Sequence, residues 1–193
     1  MRNIPGNLKL FIFLLTGLLI SSSCASSTIK ISQPVTVPFN RYKTVAVGVF
    51  GPSEVTDDPR SDPAQLNVIR DTFISLLDME LLFSKISAYS KYSNASLFIF
   101  IRDNGVKASR GLLACDDFGY DGLNLINETK GTIKLSVRFY DAHLRQYVAQ
   151  IDVEGNSSLA YSGFASKAED AALGNAIDGI INFIKLNFNG VNR

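Results

Sequence analysis

The sequence predicts an α+β fold, a two-layer or three-layer sandwich in which two main helices pack on a mixed sheet of four to five strands. Three observations lead to this prediction. Two short apolar runs, VAVGVF and LFIFI, are typical of strands buried on both faces. Two segments in which apolar residues alternate with mainly polar ones flank a short turn, as in a half-buried β-hairpin. Two longer segments repeat apolar residues at helical spacing.

The first half of the predicted domain contains one strand and one helix. Residues 45–50 form the strand, which Gly51 and Pro52 close. At residues 62–65, Asp-Pro-Ala-Gln supplies an N-cap acid, a first-turn proline and a glutamine at the third helical position. A helix is therefore expected to begin there and to cover one face of the sheet.

The second half contains three strands and the other helix. Residues 97–101 form the second central strand, and residues 133–140 and 147–154 form the two alternating strands. The six residues DAHLRQ between the alternating strands are short enough for an antiparallel hairpin. The last helix follows a stripe of apolar residues that ends at Gly190: Leu173, Ala176, Ile177, Ile180, Ile181, Ile184 and Phe188.

The amino terminus is typical of an exported protein. Arg2 and Lys9 precede an uncharged run at residues 10–20, LFIFLLTGLLI, which is too short to cross a bilayer as a helix but suits the core of a signal peptide. The small residues Ser-Ser-Ser then precede Cys24. Residues 1–23 are therefore predicted to be a signal peptide.

The residues around the cleavage site resemble the lipobox of bacterial lipoproteins. That resemblance implies that the thiol of Cys24 carries a diacylglycerol, that cleavage occurs before it, and that the new amino group carries an acyl chain such as palmitate. The third position before the cysteine is Ser21, where the family usually has an aliphatic residue. The alternative is ordinary signal cleavage after Ala25, with Ser23 and Ala25 as the small-residue pair, which would discard Cys24.

The mature chain is predicted to contain a tether and one domain. Residues 24–40 are rich in Ser and Thr and contain two prolines, so they are expected to form a flexible tether. Residues 41–193 are expected to form a single α+β domain. This length suffices for one substantial hydrophobic core.

Searching the sequence for reactive residues identifies no catalytic, cofactor-binding or metal-binding site. His143 is the only histidine, and Asp141 precedes it by two residues, but both fall in the predicted hairpin turn. Aspartate favours turns because its carboxylate accepts hydrogen bonds from nearby backbone. A metal site also needs three or four ligands, which this segment does not supply. We therefore interpret Asp141 and His143 as structural.

The segment 104–131 fits no predicted element. It is rich in glycine and acids, yet it lacks the alternate-residue spacing of a helix-loop-helix calcium site. Several of its residues are apolar, including Leu112, Leu113, Leu125 and Ile126. We expect a long polar hairpin excursion or loop that folds back on the domain or binds an envelope protein partner. Cys115 within it has no second thiol once Cys24 is acylated, so it is expected to be buried or to form an intermolecular disulfide.

Several segments of the domain resemble a known family. The runs YKTVAVGVF, ELLFSKI, ASLFIFIRDNG and VEGNSS, the turn at residues 139–142 and the alanine-rich last helix are similar to small bacterial lipoproteins with the domain of unknown function numbered 4410. The resemblance covers most of residues 41–188, although segment 104–131 is longer than in the family. More distantly, the layout is similar to the amino-terminal domain of TolB and to the curli-secretion lipoprotein. These resemblances imply an assembly or interaction role without catalysis.

The sequence thus predicts a non-enzymatic lipoprotein of the cell envelope. Cys24 would attach it to the outer membrane, facing the periplasm, and no cofactor is expected. Nucleic acid is not an expected partner, because 19 basic residues face 18 acidic ones without a basic cluster. The alternative is a soluble periplasmic or secreted protein that binds a small ligand or acts as an enzyme of undetermined class.

Overall fold

The structure is a computed structural model of the chain. It describes residues 26–51, 63–116, 123–160 and 165–190, and for residues 65, 110–116, 123–128, 159–160 and 165 it describes the backbone alone. Residues 1–23, Cys24 and the predicted N-cap Asp62 lie outside the described residues.

Six strands and two helices form the described fold. The strands are β1 (Ser26–Gln33), β2 (Thr44–Phe50), β3 (Lys85–Ala88), β4 (Leu97–Asp116), β5 (Leu123–Asp141) and β6 (Gln146–Ala160). The helices are α1 (Pro63–Met79) and α2 (Ala165–Leu186), with a 3₁₀ turn at Phe39–Arg41. The predicted α+β class is confirmed, although the sheet has six strands and not four or five.

The sheet is mixed, with strand order β1-β6-β5-β4-β2-β3. Strands β4, β2 and β3 are parallel to one another, whereas β1, β6, β5 and β4 pair antiparallel. The hairpin between β5 and β6 has the predicted position, with its turn at residues 142–145. The missed strand β3 has only four residues and lies at the sheet edge, where little burial is needed to hold it.

Both helices cover the same face of the sheet. Alternate residues of β2, β4, β5 and β6 point toward them and form one hydrophobic core with the buried faces of α1 and α2. The fold therefore has two layers. The largest fully buried side chains are Phe39, Phe73, Phe139, Leu77, Leu97, Ile99, Ile101, Ile133, Leu135, Ile151, Ile177 and Ile180.

Strand β1 corrects the predicted tether. Residues 26–33 pair antiparallel with β6, from Ser26 opposite Asn156 to Gln33 opposite Gln150. The prediction of a flexible tether at residues 24–40 is therefore wrong for residues 26–33, and the folded unit begins well before residue 41. The sequence contained a signal, because Ile29, Lys30 and Ile31 alternate and both prolines follow the strand.

The two ends of segment 104–131 are strands. Strands β4 and β5 pair continuously from Leu97 opposite Asp141 to Asp116 opposite Leu123, so that residues 104–116 and 123–131 belong to one long hairpin. A β-bulge at residues 103–105 interrupts the register. Gly105 has a φ of 135° there, which other residues rarely adopt, and its N–H donates to the Asp103 carboxylate at 2.8 Å. The predicted hairpin excursion is therefore confirmed as a two-stranded extension of the sheet, and the alternative of a loop is wrong for residues 104–116 and 123–131.

Candidate functional site

The sheet face opposite the helices carries a cluster of aromatic side chains. Strands β2, β4, β5 and β6 each contribute to it, and Tyr89 follows directly after β3. The strand register places these residues side by side, because Phe100 lies opposite Arg138, Phe98 opposite Tyr140, and Tyr140 opposite Tyr147. The cluster, called here the aromatic cluster, consists of Phe50, Tyr89, Phe98, Phe100, Tyr140 and Tyr147.

The rings pack against one another as a continuous layer. Neighbouring ring centroids are 5.3–6.3 Å apart, in the range of favourable aromatic pairs. Gly48 leaves room for this layer, since a Cβ at that position would lie 3.1 Å from the Phe50 ring and 3.3 Å from the Phe100 ring. The strands thereby position a preformed apolar floor on the face without helices.

A groove of about 460 Å³ lies over part of this floor. We call it the open-face groove. Phe50, Tyr89 and Tyr147 are each 42% exposed at its surface. Its other lining residues are mainly polar, and two of them are arginines. The full lining is Phe50, Tyr89, Phe100, Ile101, Arg102, Asn104, Ser136, Arg138 and Tyr147.

A hydrogen-bonded chain of side chains continues from the polar end of the groove toward β1. Asn104 Nδ2 donates to Ser136 Oγ at 2.6 Å, and Ser136 Oγ donates to Asp152 Oδ1 at 2.7 Å. The hydroxyl of Ser32 donates to the other oxygen of Asp152 at 2.8 Å. The hydrogen bond from Ser136 lowers the pKa of Asp152 more than burial raises it, with further lowering by Ser32, Lys30 and Arg138. Asp152 is therefore ionised at neutral pH and anchors these polar groups.

Asp141 and His143 lie where the sequence placed them, in the hairpin turn at the end of β5. Asp141 is 4% exposed, and its Oδ1 accepts the N–H groups of His143 and Leu144 at 2.7 and 2.8 Å. Its Oδ2 accepts the hydroxyl hydrogen of Tyr42 at 2.8 Å. Asp141 therefore holds the turn together, as predicted, and His143 is exposed beside it.

The remaining predicted residues are only partly testable. Cys24 lies outside the described residues, and the side chain of Cys115 is not described, so acylation of one and burial of the other stay predictions. Within the described ranges, no three or more His, Cys, Asp and Glu side chains are grouped to hold a metal ion. In the same ranges, neither helix is both long and apolar enough to cross a membrane.

The open-face groove is not apparent from the sequence. The apolar runs at residues 45–50 and 97–101 predict strands buried on both faces, but Phe98 and Phe100 are only half-buried and Phe50 is exposed. The alternation of residues 147–154 groups Tyr147 with Ala149, Ile151 and Val153, which are buried. A register shift next to Tyr140 turns Tyr147 outward and buries Val148 instead. One feature of the sequence does indicate the aromatic cluster. Phe98 and Phe100 are two residues apart, so a strand places both rings on the same face.

Comparison with known proteins finds no matching protein-family model and no matching curated protein. The resemblance to the domain numbered 4410 is therefore not supported at the level of that family. Solved structures that match part of the chain include the PelC dodecamer from Paraburkholderia phytofirmans, at 13% identity and a TM-score of 0.44, covering 80% of this chain and 96% of that one. They also include a Xanthomonas campestris protein with the domain of unknown function numbered 330, at 12% identity and a TM-score of 0.42, covering 83% and 91%. A minor lipoprotein from Acinetobacter baumannii has 12% identity and a TM-score of 0.39, covering 77% and 92%. At these values the similarities assign no function.

Proposed function

We propose that the chain is a non-enzymatic lipoprotein of the bacterial cell envelope, and that its domain binds another envelope component through the open-face groove. Acyl groups on Cys24 would attach it to the outer membrane on the periplasmic side. The aromatic floor with its two arginines is the observation that carries the binding role.

The exposed rings support binding because a sheet face normally buries its aromatic residues or replaces them with polar ones. Three large aromatic side chains stay 42% exposed in one place, beside arginines. Aromatic residues and arginine are the types that contribute most to binding energy at interfaces. The rings are also fixed by their neighbours, so little side-chain entropy is lost on binding.

The position of β1 supports the attachment. Ser26, two residues after Cys24, is already paired with Asn156, which lies opposite Thr132. Two extended residues span at most about 7 Å, so an acylated Cys24 would hold the Ser26 end of β1 close to the membrane surface. The groove residue Tyr147 pairs with Tyr140, eight residues further along β5 than Thr132 and thus about 26 Å away. Tyr147 would therefore lie at the side of the groove far from the point of attachment.

Acylation of Cys24 is tested by mass spectrometry of the mature amino terminus. We expect a triacylated Cys24, and we expect Cys24→Ser to move the protein from the membrane fraction to the soluble fraction. Cys115→Ser, which changes the other cysteine, is the matched control and should leave the protein in the membrane. An unmodified amino terminus at Ser26 would refute the anchor.

Binding through the groove is tested by photo-crosslinking in the native envelope. Benzoylphenylalanine replaces Tyr147 in the groove or, as control, Val68, which is 63% exposed on α1 in the other layer. We expect a discrete adduct or a polysaccharide smear from position 147, with less than about a tenth of that yield from position 68. Equal yields at both positions, or none, would contradict a binding role for the groove.

Segment 104–131 remains our proposal for a second contact with an envelope protein. Strand β2 pairs with β4 only as far as Arg102, so among the described strands none pairs with the outer edge of β4 from Asp103 to Asp116. Such an edge can accept a further strand. The same crosslinker at Ser109, on this edge, would report that contact separately from the groove.

A further inference from the structure

We propose that the open-face groove binds an acidic glycan, with sugar rings lying on the aromatic cluster and carboxylates pairing with Arg102 and Arg138. This inference rests on the proposed function, since it concerns the same groove, and it names the chemical class of the envelope component. Charge, the aromatic floor and the available hydrogen-bonding groups each support it.

The two arginines favour a negatively charged ligand. Arg102 lies opposite Ser136 and Arg138 opposite Phe100, so the arginines are diagonal neighbours on one sheet face, a spacing of about 7–8 Å between residues. The groove lining includes no Asp or Glu. Among the described residues, neither guanidinium makes an ion pair or a hydrogen bond, and Arg138 instead lies 5.8 Å from the Tyr147 ring centroid. A carboxylate bound between the two arginines would be attracted by both charges.

Asp152 does not pair with the two arginines in place of a ligand carboxylate. Its charge acts on Arg138, but both its oxygens already accept hydroxyl hydrogens, from Ser32 and Ser136. It lies on β6, opposite Ser136, beyond the groove lining. The N–H groups of Arg102 and Arg138 therefore remain available for bidentate pairing with a carboxylate.

The aromatic cluster favours a ligand with a flat apolar side. A pyranose ring has one face of C–H groups, which packs on the electron-rich face of an aromatic ring. Its hydroxyl groups, at the ring edge, need donors and acceptors beside the aromatic floor. At the polar end of the groove, Asn104 supplies the amide N–H that is not bonded to Ser136 and its side-chain carbonyl oxygen.

The strand pairing favours a glycan over an acidic peptide. From Phe100 to Arg102, β4 is paired with both β2 and β5, so this part of the groove floor offers a ligand side-chain groups only. Peptides bound by sheets use the backbone of a free edge. A hydroxyl-rich ligand needs no backbone pairing, and the groove's 460 Å³ lies within the range of small-ligand sites.

The experiment is a binding titration of the mature protein in detergent at physiological salt. The probes are an oligogalacturonate, its methyl ester as a neutral sugar of the same shape, and a poly-glutamate peptide of matched charge. We expect saturable binding of the oligogalacturonate and a Kd at least about tenfold weaker for the ester and the peptide. Arg102→Gln and Arg138→Gln should each weaken oligogalacturonate binding by about tenfold.

Arg70→Gln is the matched control, because Arg70 lies on α1 and pairs with Asp71. It should leave the Kd unchanged. Equal binding of oligogalacturonate and poly-glutamate, equal weakening by Arg70→Gln, or no saturable binding would overturn the glycan proposal. A protein adduct from position 147 in the crosslinking experiment would then leave the binding role of the groove intact and show that its partner is a protein.

Discussion

Gly155→Ala is expected to destabilise the fold by about 3 kcal/mol or more, at the upper end of overpacking effects. Gly155 lies on β6 directly beneath α2. A Cβ at this position would overlap the carbonyl oxygen of Ala172, lie 2.7 Å from the backbone nitrogen of Ala176 and lie 2.8 Å from its Cβ. Two of these three atoms belong to the helix backbone, so no side-chain rotation can relieve the clash.

The only relief is to move α2 away from the sheet. That movement would loosen the contacts of Ile177, Ile180 and Ile184, which are completely buried between α2 and the strands. Dispersion contacts weaken steeply with separations of this size, and the cost is shared by the whole interface. Gly131 on β5 has the same relation to Ala168, and Gly131→Ala is expected to have a similar effect.

Gly174→Ala is the matched control in the same helix. Nothing lies within 4 Å of a Cβ at position 174, so this substitution should stabilise the protein by about 0.5–1 kcal/mol through helix propensity. Urea denaturation followed by circular dichroism measures both variants. If Gly155→Ala were as stable as the wild type, α2 would not be seated on β6 in this way.

The close contacts of α2 with Gly131 and Gly155 could not be predicted from the sequence. Hydrophobic periodicity predicted the helices and the central strands, because burial dictates a period of 3.6 or 2 residues. A single glycine in a strand does not reveal which helix lies above it. That information depends on long-range packing, which no local pattern contains.

The candidate site shows the same limit for a different reason. The apolar run at residues 97–101 predicts a strand whose two faces are both covered by other elements. In the structure, helices cover one face, and the other face carries only the aromatic cluster. Phe98 and Phe100 pack against Tyr89, Tyr140 and Phe50. These rings come from other strands or their ends, and only the pairing register of the strands brings them together. Asp141 was predictable because its partners in the turn are two and three residues away.

Asp141→Ala is the second substitution expected to have a large effect, with a loss of about 2–4 kcal/mol. It removes the acceptor for the turn N–H groups of His143 and Leu144 and leaves the hydroxyl of Tyr42 buried without its partner. Tyr42 is 4% exposed, so water cannot fully replace the lost bond. Asp141→Asn keeps the shape and acceptor oxygen while removing the charge, and it should cost less.

The pH dependence of stability distinguishes the charge of Asp141 from its shape. Burial raises the pKa of Asp141, but the hydrogen bonds from Leu144, Tyr42 and His143 and the charge of His143 outweigh it, so the pKa lies below its ordinary value. The stabilisation is therefore present above the unfolded-state value of about 3.9 and is lost as the pH falls toward the folded-state value. Below about pH 4, the stability advantage of the wild type over Asp141→Asn should therefore shrink progressively as the pH falls.

Tyr42 produces the opposite dependence at high pH. Burial, the hydrogen bond to Asp141 and the charge of Asp141 all raise the pKa of Tyr42 above its ordinary value of 10.0. A raised pKa stabilises the fold at neutral pH, and this contribution is lost as the pH rises above about 10, where the unfolded tyrosine ionises first. Tyr42→Phe should therefore abolish that alkaline loss. It should also weaken the dependence at acid pH, because it removes the Tyr42 hydrogen bond that helps to lower the pKa of Asp141. Urea denaturation of the wild type, Asp141→Asn and Tyr42→Phe from pH 3 to 11 tests both the acid and the alkaline dependence of stability. Parallel profiles for all three proteins would show that Tyr42 and Asp141 are not coupled as the structure indicates.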